Sequence, residues 1–105
     1  MTFGIKFFGG EEADGNVFVV ETTAPAGHML ESHVHPHAHT SVLVSGTAIV
    51  TIDGVEQELT GYCTATVPAN TRHSVYAKTD IIWLCLWAGD LAPRQLAEES
   101  LRLVA

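Results

Sequence analysis

Apolar and polar residues alternate in short runs through most of this chain. Gly, Pro, Asn or Asp break the pattern roughly every eight to twelve positions. The breaks fall at Gly9-Gly10, Asp14-Gly15, Pro25-Ala26-Gly27, Gly46, Asp53-Gly54, Gly61 and Pro68-Ala69-Asn70. The runs between them are rich in β-branched and aromatic residues, which suit a pleated, half-buried surface. The pattern predicts strands over 3–8, 16–23, 28–35, 41–46, 47–52, 55–59, 63–67, 72–78 and 81–88. Two of these form a hairpin, because Asp53-Gly54 supplies the positive φ angles of a type I′ turn. The period changes after Pro93, a residue suited to a first helical turn. Leu96, Ala97, Leu101 and Val104 recur at helical spacing, with Arg94, Glu98, Glu99 and Arg102 between them. A short C-terminal helix over 93–103, packed on the outside of the strands, is therefore expected. The fold class is all-β, a sandwich or barrel.

Length and composition narrow the picture. The 105 residues are expected to form one domain over 1–105, and 47% apolar with 16% charged residues reads as globular. The formal charge of −7 argues against nucleic acid, which calls for a basic patch, and against an anionic membrane surface. The longest apolar run, Ile81 to Ala88, is too short to span a bilayer as a helix. The first residues lack the features of a secretory signal, so a cytoplasmic location is expected. There a reduced, buried state suits Cys63 and Cys85 better than a disulfide. Two cysteines are too few for a structural zinc site built on thiolates.

The least ordinary feature is the histidine content. Of six histidines, His28, His33, His35, His37 and His39 fall within twelve residues, and His73 follows 34 residues after His39. In a strand, His33 and His35 share a face, with Cβ atoms about 7 Å apart. That separation lets two imidazoles converge on one ion through bonds near 2 Å. Pro36 removes a ladder donor and ends the strand. A turn over 36–38 then brings His39 to the start of the next strand, and His73 can close the site from the opposite wall. His28 reads as a hydrogen-bonded core residue, and His37 as a turn residue or a support to a ligand. An alternative reading takes His33 to His39 as a metal-sequestering loop, but it leaves His73 without a role.

The spacing around these histidines resembles the cupin family. Gly27 is followed by five residues, then His33-Val34-His35, then three residues, His39, six residues and Gly46. That is similar to the first cupin motif, with histidine where the family usually has a carboxylate or amide. Gly61, Pro68-Ala69-Asn70 and His73 are similar to the second motif, with Asn70 replacing a glycine and Ala77 replacing an asparagine. The resemblance implies a double-stranded β-helix, or jelly-roll barrel, often a homodimer, with a metal near one mouth. It also implies His33, His35, His39 and His73 as ligands of one divalent transition metal: Mn, Fe, Ni, Cu or Zn.

Four neutral imidazoles leave such an ion its full charge, which favours a small anionic, oxygen-rich ligand. An octahedral ion would keep two positions open for a substrate, or for a substrate and dioxygen. The expected activity is metal-dependent chemistry of the dioxygenase or of the lyase and isomerase kind. The alternatives are a non-catalytic binding or sensor module and a purely structural barrel. Arg72, Tyr76, Trp83 and Trp87 are candidates to line the substrate space, although plain surface or core roles compete for each. Glu31, two residues before the cluster, is a candidate base or rim carboxylate.

Overall fold

The computed structural model describes residues 1–9, 17–33 and 38–87. Nine strands follow in chain order: β1 (Gly4–Gly9), β2 (Phe18–Ala24), β3 (Met29–His33), β4 (His39–Ser45), β5 (Thr47–Ile52), β6 (Val55–Thr60), β7 (Cys63–Val67), β8 (His73–Ala77) and β9 (Ile81–Trp87). All nine expected strands form, with ends shifted by a few residues. One of the shifts brings the start of β4 forward to His39. The expected C-terminal helix over 93–103 lies outside the described residues.

The strands build two antiparallel sheets in the orders β1-β2-β9-β4-β7 and β3-β8-β5-β6. Strands consecutive in the chain often lie in different sheets, as in a double-stranded β-helix. The inward faces of the two sheets carry a main apolar cluster and a smaller one at Phe18 and Val20. Phe18, Val20 and Ala24 of β2 face inward, as do Leu43 of β4, Ala48 and Val50 of β5, Val75 and Ala77 of β8, and Ile81 and Trp83 of β9. Every second residue of β2 is buried and the others are half-buried, the period that a strand with one face on a core requires. Among the described residues, no helix is long and apolar enough to cross a membrane.

Turn chemistry follows the sequence. Asp53 and Gly54 both take positive φ, at 50° and 80°, and close the β5–β6 hairpin. Asn70 sits at φ 57°, the left-handed conformation that Asn tolerates better than most residues with a Cβ. Cys63 and Cys85 are free thiols on either side of β4, opposite Leu43 and Ser41 respectively.

One end of the barrel is tied down by its own backbone. The Gly27 amide donates to the Ala77 carbonyl, and the Ala77 amide donates to the His28 carbonyl. Asp80 Oδ1 accepts from the Ala26 amide, and Asp80 Oδ2 lies 3.8 Å from the Met1 ammonium. His28 belongs to this end, where its ring stacks on Phe3 at 4.3 Å between centres.

Candidate metal centre

The opposite end gathers the other described histidines. β4 opens with His39, paired with Val67 of β7, and its inward residues are His39, Ser41 and Leu43. β8 opens with His73, paired with Ile52 of β5, and its inward residues are His73, Val75 and Ala77. The two histidines come from opposite sheets and meet across the interior. Each is 5% exposed, and their ring centres lie 5.3 Å apart at an interplanar angle of 59°.

β3 adds a third position. The β3–β8 ladder runs Met29 to Tyr76 and Leu30 to Val75, then shifts register, and His33 pairs with His73. Three steps along β3 match two along β8, so one extra residue is accommodated as a bulge. Strict alternation from inward Leu30 would place residue 33 on the outer face. The bulge puts the backbone of position 33 directly across the ladder from His73. His35 and His37 lie outside the described residues.

His73 is oriented by its own chain. Its Nδ1 lies 3.3 Å from the Thr71 carbonyl oxygen. A carbonyl only accepts, so Nδ1 is the donor in this contact. A backbone carbonyl behind one ring nitrogen is the usual support for a histidine that ligates a metal through the other.

The ring separation tests the fit of an ion. A metal bound at about 2.1 Å sits about 3.2 Å from the centre of an imidazole. Two such ligands at 90–110° then have centres about 4.5–5.3 Å apart. The observed 5.3 Å falls at the upper end of that window, and neutral imidazole suits Mn, Fe, Ni, Cu and Zn to different degrees. The separation of His39 and His73 is one that two imidazole ligands of a single ion can have. Among the described residues, no group of three or more His, Cys, Asp or Glu could hold one. Of the four expected ligands, these two have described side chains.

The next inward row lies beneath the histidines. Across the five-stranded sheet it reads Val20, Cys85, Ser41 and Ala65, and across the other sheet Val50, Val75 and Leu30. Ser41 is fully buried, and its hydroxyl lies 3.5 Å from Cys85 Sγ. Burial pushes the Cys85 thiol up to about 11, against a smaller opposing effect from Ser41. Among the described residues, the buried polar side chains are Thr22, His39, Ser41 and His73, so none is an acid, a lysine or an arginine.

The candidates for substrate lining are scattered. Tyr76 lies on the outer row of β8, between Met29 and Ile49. Trp83 is 3% exposed and packs in the core beside Leu43, two inward rows from the histidine end. The structure thus does not bring Tyr76 or Trp83 to the histidines. Strand parity explains Tyr76, since His73, Val75 and Ala77 take the inner face. Arg72 is exposed next to His73, and its carbonyl accepts from the Asp53 amide. Trp87 pairs with Phe18 at the histidine end of the ladder. Ser41 was missed by sequence reasoning. Its signal was its place two residues after His39 on the same strand face.

A family model described as a cupin domain matches residues 19–88, which is 70 of the 105 residues. Solved structures share the architecture. A conserved protein of unknown function from Streptococcus pyogenes, SPY1581, is 22% identical with a TM-score of 0.65, covering 70% of this chain and 65% of that one. An RmlC-like cupin from Shewanella frigidimarina is 25% identical with a TM-score of 0.66, covering 71% and 68%. A chain from the structures of the DMSP lyases RdDddP and RnDddQII is 25% identical with a TM-score of 0.64, covering 70% and 39%. This chain thus spans just under two thirds of the first and well under half of the third. The curated proteins contain no match. The two sheets, the histidine end and a family model spanning two thirds of the sequence agree: the chain belongs to the cupin family.

Proposed function

We propose that His33, His35, His39 and His73 hold one divalent transition metal, and that the protein is a metal-dependent enzyme acting on a small, anionic, oxygen-rich molecule. The observation that carries this reading is the meeting of two buried histidines from opposite sheets, 5.3 Å between ring centres. Position 33, across the ladder from His73, supports a third ligand. Cupins commonly bind a divalent metal. When bound, the ion supplies a Lewis acid or a docking point for substrate and dioxygen. The chain itself orients His73 through the Thr71 carbonyl and sets Ser41, Cys85 and Val75 in the next inward row. The resemblance to a chain from the DMSP lyase structures supports lyase chemistry ahead of oxidation.

A second reading, a binding module without turnover, gains from one observation. None of the buried described side chains is a carboxylate or a lysine that could serve as general base.

The test is elemental analysis of protein purified without added metal, beside His39→Ala and His73→Ala. Near-stoichiometric metal is expected in the parent. Each variant is expected to lose more than roughly 100-fold in affinity, since even supporting groups behind a ligand cost 10–100-fold. A parent that refuses Mn, Fe, Ni, Cu and Zn alike overturns the proposal. Turnover of small carboxylates with and without dioxygen then separates lyase, dioxygenase and binder.

A further inference from the structure

The ladders set apolar side chains beside both buried histidines. His73 pairs with Ile52 of β5, and Ile52 pairs in turn with Val55 of β6. His39 pairs with Val67 of β7. Val67 is buried, Ile52 is half-buried against the main apolar cluster, and Val55 is 69% exposed beside the β5–β6 turn. From solvent inward, the row thus runs from exposed Val55 through half-buried Ile52 to buried His73.

The next inward row has the same character. Val50 and Val75 follow Ile52 and His73 along their strands, and Ala65 follows Val67. The row's hydroxyl, on Ser41, lies within hydrogen-bond reach of the Cys85 thiol, at 3.5 Å. The charged residues next to the row in the chain, Asp53, Glu56 and Arg72, are all exposed. Glu56 also pairs with Thr51, so alternation sets it on the opposite face of the sheet from Ile52.

A molecule held by an ion at the histidines meets two environments. Oxygens at its bound end are satisfied by the metal. A hydroxyl farther along would exchange water for valine and isoleucine, and a polar group buried without a partner is disfavoured. A methylene in the same place gains, by about tenfold or more in an apolar surrounding.

We propose, resting on the four-histidine reading of the site, that its ligand is a short-chain acid with its oxygens confined to the end at the ion and plain hydrocarbon beyond. Ile52, Val55 and Val67 set that preference. Sugar acids and other polyhydroxylated acids are the class that this strip turns away.

The full chain is loaded with the ion it retains among Mn, Fe, Ni, Cu and Zn, and elemental analysis checks its content. Calorimetric titration then compares α-hydroxybutyrate with threonate. Both acids have the same carbon chain, carboxylate and α-hydroxyl, but threonate carries further hydroxyls along the chain. α-Hydroxybutyrate is expected to bind at least about tenfold tighter. Ile52→Thr places a hydroxyl in the strip and should narrow that ratio at least about threefold, with metal content unchanged. If Ile52→Thr fails to fold, Val55→Asn carries the test from an exposed position. Equal or tighter binding of threonate overturns the inference, as does failure of both acids to bind the metal-loaded chain. A ratio indifferent to both substitutions overturns the role given to Ile52 and Val55. A chain that takes up none of these ions fails earlier, at the four-histidine site itself, and this inference falls with it.

Discussion

Gly46 and Gly54 both hold positive φ, at 89° and 80°, but differ in surroundings. A Cβ built on Gly46 would run into the Asp80 carbonyl oxygen, with Ile81 Cγ2 and Thr79 Oγ1 each at 2.9 Å. A Cβ on Gly54 would meet nothing within 4 Å. Gly54→Ala is expected to cost about 1 kcal/mol, the conformational penalty alone. Gly46→Ala adds a backbone clash and should cost about 3 kcal/mol or more. Urea denaturation of the two variants measures the difference. Cys85 makes a second prediction at this scale. Burial raises its folded pKa to about 11 from the ordinary 9.0. Between pH 9 and 11 the unfolded chain has released a proton that the folded chain retains. The Cys85 contribution to stability is therefore fully present below pH 9 and is lost as pH rises through 11. Denaturation midpoints across that range test the sign. At pH 8 iodoacetamide should label Cys85 more slowly in the native protein than in denaturant, because the raised pKa leaves little thiolate.

The elements were legible where local chemistry governs them. Asp53-Gly54 and Asn70 announce turns, and the burial alternation of β2 follows its sequence pattern. His39 and His73 were legible as partners because each follows a turn signal and opens a strand. The bulge in β3 was not legible. Alternation within Leu30-Glu31-Ser32-His33 gives no sign of an extra residue, and the pairing of His33 with His73 depends on it. Bulges answer to the register of a partner strand distant in sequence, so no local pattern records them. The outward turn of Tyr76 has a similar origin. Its parity was fixed by His73, and its aromatic character alone suggested a lining role.

At the scale of the whole molecule, the two ends of the barrel have separate tasks. The Asp80 end ties down Met1 and Ala26. The histidine end joins β4 of one sheet to β8 of the other. Anything held by both His39 and His73 is consequently a rivet through the sandwich, fastening two layers that elsewhere adhere by side-chain packing. Such a rivet binds the native state and not the unfolded chain, so it adds about 2.7 kcal/mol at a hundred times its dissociation constant. Titrating divalent ions into metal-stripped protein should raise the melting temperature with concentration. Amides of β4 and β8 should slow their hydrogen exchange together, although these strands belong to different sheets. The barrel would then report its own occupancy mechanically, in how hard its two layers are to part, before any substrate is known.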